Sequence, residues 1–280
     1  MREVGKNGRV ILVANGTKND AELPLSVIRD LPLEAQKVVV PVTLQSNARN
    51  IGGLNAGVAY ALKFSPDCKD EWIGSVQSSV VLQPGWRGAL FSGTSTSAAI
   101  FGRLTYEDDP SLIWADGHEL KDGKTWNVAS NCSISSAPEW CPPHRFPCLS
   151  AAVFHRKAVE SVVTRYGSMV GEKLPHYGDC TDAALRLRDC AHDKFDFRQA
   201  AIALKRRPIR DLTQEGVVQL VTARLYYENR QQCAEERLKT KRPMEFVDAK
   251  RQADEIVSAP YAVTGVPPPS ARPIDDGEWP

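Results

Sequence analysis

The sequence has 280 residues, enough for one sizeable hydrophobic core and a small appendage. Hydrophobic residues make up 42% of it and charged residues 25%, which is typical of a globular protein and excludes a disordered chain. Its 35 basic and 34 acidic residues leave a formal net charge of +1, so no overall field attracts nucleic acid or an anionic membrane.

Cysteine usage and hydropathy predict the cellular compartment. The seven cysteines are odd in number, and none forms a C-x-x-C pair, which favours reduced thiols. The polar N-terminus does not resemble a signal peptide, and no stretch approaches the roughly 18 apolar residues of a membrane span. We therefore expect a soluble, cytoplasmic protein without an integral membrane segment.

The first 90 residues alternate between strand and helix patterns. This rhythm predicts an α/β fold with a mostly parallel sheet flanked by helices. Pro41 indicates that the second strand lies at a sheet edge or a bulge. The predicted elements are a strand at 10–14, a helix at 22–36, a strand at 38–42, a helix at 55–64, and strands at 72–76 and 80–82.

The remaining sequence predicts an irregular middle and a helical end. Residues 92–150 contain many turn signals, and helices are expected at 157–166, 181–190, 211–239 and 244–257. The chain therefore divides into an α/β domain over 1–210, a C-terminal helical segment over 211–258 and a Pro-rich tail over 259–280.

Six stretches carry a family resemblance. They are VILVANGT at 10–17, NIGGLNAG at 50–57, WIGSVQSSVVLQPGW at 72–86, GHELKDG at 117–123, YGDCTDAALRLR at 177–188 and LYYENR at 225–230. In this order they resemble motifs of the large inverting family-2 glycosyltransferases, which have the GT-A fold. The resemblance covers about residues 10–230 and implies that residues 1–210 bind a sugar nucleotide and transfer its sugar.

The resemblance also implies where the sugar nucleotide binds. In such folds the ligand lies at the carboxyl ends of the strands, on loops that the sheet holds in place. Small residues such as Gly52 and Gly53 allow close approach of the backbone to a ligand. The expected nucleotide- or substrate-binding residues are Asn15, Thr17, Asn50, Gly53, Asn55, Gln77, Ser78 and Ser79.

The metal-binding motif of the family is altered in this chain. The family holds Mg²⁺ or Mn²⁺ with an acidic triplet, whose positions here are Gln77, Ser78 and Ser79. Because none of the three is charged, we predict transfer without a divalent metal cofactor. The basic run from Lys205 to Arg210 would then compensate the charge of the diphosphate, with Arg206 and Arg207 as its contacts.

An inverting transfer needs one base to take the proton of the acceptor hydroxyl. A gapless match places the catalytic aspartate of the family on Cys180, whereas a shift of one residue places it on Asp179. We predict that Asp179 is the base and that Asp182 interacts with the dipole at the start of a helix.

The resemblance begins at the second strand of the family's sheet. Ala14 stands where the family has an aspartate that contacts the base or ribose of the nucleotide. We expect either that the chain starts further upstream or that it is a reduced version with an altered nucleotide pocket.

The leading hypothesis is transfer of a sugar from a nucleoside diphosphate sugar to an acceptor hydroxyl of unknown identity. The alternative is a non-catalytic relative that binds a sugar nucleotide or a glycan. A nucleotidyltransferase is disfavoured because no Gly-rich phosphate loop opens the chain. A zinc site formed by Cys132, Cys141, His144 and Cys148 is disfavoured because their spacing matches no zinc-finger pattern.

Overall fold

A computed structural model describes residues 8–16, 23–46, 48–64, 72–93, 95–121, 124–137, 145–171, 178–207, 222, 226 and 246–258. These residues form an α/β fold in which helices flank a mixed sheet, so the predicted class is confirmed. None of the helices within these ranges is long and apolar enough to cross a membrane.

The N-terminal part forms a small parallel sheet. Strand β1, Val10–Ala14, pairs in parallel with β2, Val39–Thr43. The helix predicted over 22–36 is two helices, α1 at Leu23–Arg29 and α2 at Leu33–Gln36. The break lies at Pro32, since a residue before proline is disfavoured in the helical region.

The third helix, α3, spans Arg49–Phe64 and begins earlier than the predicted residue 55. It packs closely on β1, because a Cβ atom added at Gly57 would lie 3.2 Å from Val13 Cγ2. Asn55 ties the helix to a distant segment: its Nδ2 donates to Val170 O at 2.8 Å, and its Oδ1 accepts from Val170 N at 3.1 Å. Gly57 therefore allows α3 to pack closely on β1, and Asn55 anchors the helix to Val170.

The remaining described elements build the main sheet and its helices. They are β3 (Trp72–Val76), β4 (Val80–Leu82), α4 (Trp86–Leu90), β5 (Ala99–Tyr106), β6 (Ile113–Ala115), β7 (His118–Lys121), β8 (Lys124–Asn127), β9 (Ala151–His155), α5 (Arg156–Tyr166), α6 (Asp179–Asp189), β10 (Phe195–Lys205) and α7 (Phe246–Ser258). Helix α7 matches the helix predicted at 244–257, whereas the helix predicted at 211–239 lies outside the described residues, apart from residues 222 and 226.

The main sheet has the strand order β3-β9-β5-β10-β4, with β6 beside β5, and β7 pairs with β8 in a separate hairpin. Among its described pairs only β5 and β10 run parallel; the other pairs are antiparallel. The main sheet is therefore mixed and not mostly parallel as expected. Apolar runs show that a strand is buried but do not show its direction, which explains the difference.

Strand β5 is the centre of the core, since all of its residues are buried. One face of the sheet packs with α5 and α6 through residues such as Phe101, Val162 and Leu187. The opposite face packs with α4 through residues such as Leu90 and Leu104. Because β5 lies between two apolar layers, the sheet holds the loops at its edges in fixed positions.

Candidate functional site

A buried lysine lies against the altered triplet. Lys205 Nζ donates hydrogen bonds to Gln77 Oε1 at 2.9 Å, to Ser79 Oγ at 2.7 Å and to Ser150 Oγ at 3.2 Å. The ammonium also lies 5.5 Å from the centroid of the Trp114 ring. Three acceptors match the three donors of an ammonium group, which makes the burial of this charge tolerable.

Strand pairing brings these residues together. Gln77 follows the end of β3, and its backbone N–H donates to Ser150 O at 2.9 Å, just before β9 begins. Lys205 is the last residue of β10 and stands opposite Val80 of β4. Ala201, Ala203 and Lys205 are buried in alternation, so the lysine shares the inward face of the strand. The alternation is a feature of the fold: residues 201–204 are all apolar, so the sequence assigns Lys205 only to the basic run that follows.

A second group consists of His118, Cys148 and Cys180. One ligand atom from each side chain lies within 4.8 Å of those of the other two. His118 opens β7, Cys148 precedes β9, and Cys180 lies in the first turn of α6. Two backbone hydrogen bonds of 2.8 Å between His118 and Phe146 hold β7 against the segment that carries Cys148.

The electrostatics of this group favour a thiolate at Cys148. A hydrogen bond from Cys180 and the neighbouring His118 hold the pKa of Cys148 well below its ordinary value. The same hydrogen bond, together with burial, raises the pKa of Cys180. Burial is the largest influence on His118 and would lower its pKa, but Cys148, Asp179 and Asn127 together outweigh burial and the net shift of the pKa is upward. The Cys148 and Cys180 thiols therefore titrate as a pair.

Ser150 connects the two groups. Its hydroxyl donates to Gln77 Oε1 at 2.8 Å and accepts from Lys205, and its proximity to the Cys148 sulfur lowers the pKa of that thiol. Leu149, between Cys148 and Ser150, donates its backbone N–H to Cys180 Sγ at 3.4 Å. The lysine group and the thiol–imidazole group consequently form one continuous polar site inside an apolar fold.

Asp179, the predicted base, lies at the edge of this site. It is the first residue of α6, it is half-buried, and its Oδ1 accepts from Cys180 N at 2.9 Å. Burial and the nearby Cys148 thiolate raise the pKa of Asp179.

Asp182, which also lies in the first turn of α6, is buried. Its carboxylate binds Arg186 at 2.7 Å and the backbone N–H of Gly171 at 2.7 Å. These contacts give Asp182 a structural role.

The predicted nucleotide-binding residues near β1 make internal contacts. Asn15 Oδ1 accepts from Ala48 N at 2.7 Å, and Asn15 Nδ2 donates to Arg49 O, so the side chain fastens the start of α3. Gly53 packs against Asn15, because a Cβ atom added there would lie 3.5 Å from Asn15 Nδ2. Thr17 lies outside the described residues. The role of Asn15, Gly53 and Thr17 toward a nucleotide stays a prediction.

The remaining predicted binding residues differ in accessibility. Asn50 and Ser78 are exposed, whereas both ends of the Asn55 side chain bind Val170. Gln77 and Ser79 are held by Lys205. Exposure leaves Asn50 and Ser78 available to a ligand, and the ligand contacts of all four residues stay predictions.

The predicted phosphate contacts form surface ion pairs. Arg206 Nε lies 3.0 Å from Glu107 Oε2, and Arg207 Nε lies 2.8 Å from Asp108 Oδ2. The Arg207 guanidinium also stacks 3.9 Å from the centroid of the Tyr106 ring. The backbone N–H of Arg206 donates to Ser79 O at 2.9 Å, so the run leaves the sheet beside the triplet position. A phosphate contact by these arginines stays a prediction.

The zinc grouping considered from sequence is not the one that the fold assembles. Cys141 and His144 lie outside the described residues, and Cys148 lies with His118 and Cys180. Those three ligands come from segments about 30 residues apart along the chain, so no spacing rule could join them. The sequence gives one indirect indication of this group, because Cys180 stands where the resembled family has its base.

No protein-family model and no curated protein matches this sequence. A solved structure of GalNAc-T7 with UDP, GalNAc and Mn²⁺ matches with a TM-score of 0.52 and 8% sequence identity. The match covers 90% of this chain and 48% of that chain, so this chain spans about half of its neighbour's length. At this identity the likeness shows the fold, which is GT-A-like.

The prediction that no metal is involved is wrong. The GalNAc-T7 structure contains Mn²⁺, and the described part of this chain holds a His/Cys/Cys group whose ligand atoms are near enough to one another to hold a metal ion. A hard ion such as Mn²⁺ does not fit at the triplet positions, because they lack carboxylates and the Lys205 ammonium lies against Gln77 and Ser79. The thiol and imidazole ligands suit a softer ion.

Proposed function

We propose that this protein transfers a sugar from a nucleoside diphosphate sugar to an acceptor hydroxyl, with inversion, and that Asp179 is the base. One observation carries the proposal. The Asp179 carboxylate and the Lys205 ammonium belong to one continuous site, linked through Cys180, Cys148 and Ser150. A base and a positive charge are the two groups that such a transfer requires.

The chemistry assigns one task to each group. The acceptor oxygen attacks the anomeric carbon while its proton passes to the Asp179 carboxylate, and the bond from that carbon to the diphosphate breaks. A carboxylate whose pKa is raised by burial and by the Cys148 thiolate is a stronger base than an exposed one. The diphosphate leaves with the bonding electrons, so it carries additional negative charge away from the sugar.

Positive charge near the diphosphate stabilises this departure. Lys205 supplies it against the Gln77 and Ser79 side chains, where the sequence resemblance places the diphosphate. Arg206 and Arg207 follow directly in the chain and add two bidentate donors at the surface. In this proposal residues 1–210 form the transferase domain, residues 211–258 a helical extension and residues 259–280 a tail.

The direct test combines donor binding with turnover. Thermal unfolding with a panel of nucleoside diphosphate sugars identifies the donor, and release of the free diphosphate then measures hydrolysis or transfer. The Asp179→Asn variant should keep donor affinity and lose turnover by roughly 100-fold or more. Asp30→Asn is the matched control, since Asp30 is exposed in a turn after α1.

Two outcomes would contradict the proposal. One is full turnover by Asp179→Asn, which would remove its base role. The other is the absence of a stabilising nucleoside diphosphate sugar from a complete panel, which would remove the donor class.

A second candidate is a relative that binds a sugar nucleotide or a glycan without catalysis. It is favoured by the absence of carboxylates at Gln77, Ser78 and Ser79 and by the engagement of Lys205 with its own protein. Specific donor binding with no release of diphosphate, in wild type and in Asp179→Asn alike, would support this candidate.

A further inference from the structure

We propose that His118, Cys148 and Cys180 bind a divalent transition-metal ion of the zinc class. This site is distinct from the triplet positions at Gln77, Ser78 and Ser79. It goes beyond the proposed transferase function, and its test does not depend on activity.

The geometry of the group is close to that of a bound ion. Bond lengths of about 2.3 Å to sulfur and about 2.0–2.1 Å to nitrogen place tetrahedral ligand atoms about 3.5–3.8 Å apart. The ligand atoms of His118, Cys148 and Cys180 lie within 4.8 Å of one another. A contraction of at most about 1.0–1.3 Å, within reach of side-chain rotation, therefore completes the site.

The backbone holds the three ligands from three different elements. The paired hydrogen bonds between His118 and Phe146 fix β7 beside the Cys148 segment. The backbone N–H of Leu149 donates to Cys180 Sγ at 3.4 Å, which joins that segment to α6. An N–H donor to sulfur stabilises a thiolate ligand, and such outer contacts orient the ligands of protein metal sites.

The environment of His118 also suits a metal. Although His118 is buried, its Nδ1 has no hydrogen-bond partner among the described residues. A buried polar atom without a partner costs about 1–3 kcal/mol, so the ring gains when a metal or a proton binds to it.

The ligand set selects the kind of ion. Two thiolate sulfurs are soft ligands and imidazole is a common zinc ligand, so the set favours Zn²⁺ over Mg²⁺, Ca²⁺ or Mn²⁺. Three protein ligands leave one tetrahedral position open, as in catalytic zinc sites, whereas structural sites have four. Cys180 is half-buried while His118 and Cys148 are buried, so the group lies nearest to solvent at Cys180.

The experiment measures metal binding by the full chain under reducing conditions. Elemental analysis after purification should find about one zinc per chain. After removal of the metal by a chelator, Co²⁺ alone should bind and produce the near-ultraviolet charge-transfer absorption of thiolate–cobalt bonds.

Four cysteine variants make the test specific. Cys148→Ser and Cys180→Ser should each weaken Zn²⁺ binding by at least about 100-fold, because loss of even an outer contact costs 10–100-fold. Cys132→Ser and Cys190→Ser are matched controls at free cysteines outside the group, and they should keep the affinity of the wild type.

Specific outcomes would overturn the proposal. A wild-type chain that binds Co²⁺ without thiolate absorption, or that binds no zinc, would show that His118, Cys148 and Cys180 do not hold a metal. Equal losses in the control variants would place the metal elsewhere. If a serine variant does not fold, the cobalt spectrum of the wild type is compared with that of His118→Asn. Identical spectra would contradict the proposal.

Discussion

Lys205 Nζ donates a hydrogen bond to Gln77 Oε1 over 2.9 Å. In the family that the sequence resembles, the Gln77 position opens an acidic triplet that holds a metal ion against the diphosphate. Here a buried ammonium lies against that position and against Ser79. The charge next to the triplet is therefore carried by a side chain of the protein itself, at the end of a central strand.

We expect Lys205→Met to weaken donor binding. The change removes the positive charge and three hydrogen bonds while it keeps a side chain of similar length. Hydrogen bonds to charged groups are worth about 1.5–3 kcal/mol, which corresponds to a loss of roughly 10- to 100-fold in affinity. Calorimetric titration with the donor measures this loss.

The control for this variant is Lys194→Met, which removes an exposed lysine just before β10. It should leave donor affinity unchanged. If Lys205→Met folds and binds the donor as tightly as wild type, the lysine has only a structural role.

Replacement of Arg206 and Arg207 by alanine tests the basic run separately. We expect donor binding to weaken by about 2–4 kcal/mol, the scale of losing charge-assisted contacts to phosphate. Stability should change little, because both arginines form exposed ion pairs, and such pairs contribute about 0–1 kcal/mol. Donor titration and urea unfolding of the same variant distinguish the two effects. Unchanged donor affinity would show that the run is only a solvated surface.

Gly102 is fixed by the neighbouring strand. A Cβ atom added there would lie 1.9 Å from Ala201 O, where the register of β5 and β10 shifts between Arg198 and Ile202. We expect Gly102→Ala to lower the free energy of unfolding by about 3 kcal/mol, because buried backbone must move. Urea unfolding measures the change.

Gly88→Ala provides the matched comparison. Gly88 lies inside α4 and is exposed, and nothing lies within 4 Å of an added Cβ atom. This change should raise the free energy of unfolding by about 0.5–1 kcal/mol, because alanine has the higher helix propensity. Equal effects of the two substitutions would contradict the steric explanation for Gly102.

Local patterns in the sequence predicted most elements of this fold, and long-range contacts account for what they missed. The run at 10–14 and the helical pattern at 157–166 depend on neighbouring residues, and both elements were found. The His118–Cys148–Cys180 group depends on strand order and on the position of α6, which no local pattern contains. The burial of Lys205 is also a long-range effect, because residues 201–204 are all apolar and only the pairing of β10 shows which of them face inward.

The last prediction concerns the ion pair between Arg103 and Asp116. Arg103 Nε and Nη2 donate to the two carboxylate oxygens at 2.8 and 2.6 Å, and both side chains are only 2% exposed. Asp116→Leu leaves a buried guanidinium without its counter-charge, so we expect a loss of about 3–5 kcal/mol in the free energy of unfolding. The double variant Arg103→Met, Asp116→Leu should recover most of this loss, because an apolar pair of similar volume has no desolvation cost. In the exposed pair of Lys37 and Glu34, Glu34→Gln should change stability by less than about 0.5 kcal/mol. Urea unfolding of the three variants and of wild type measures each change in the free energy of unfolding, and a double variant as unstable as Asp116→Leu would show that the pair contributes more than the removal of an unpaired charge.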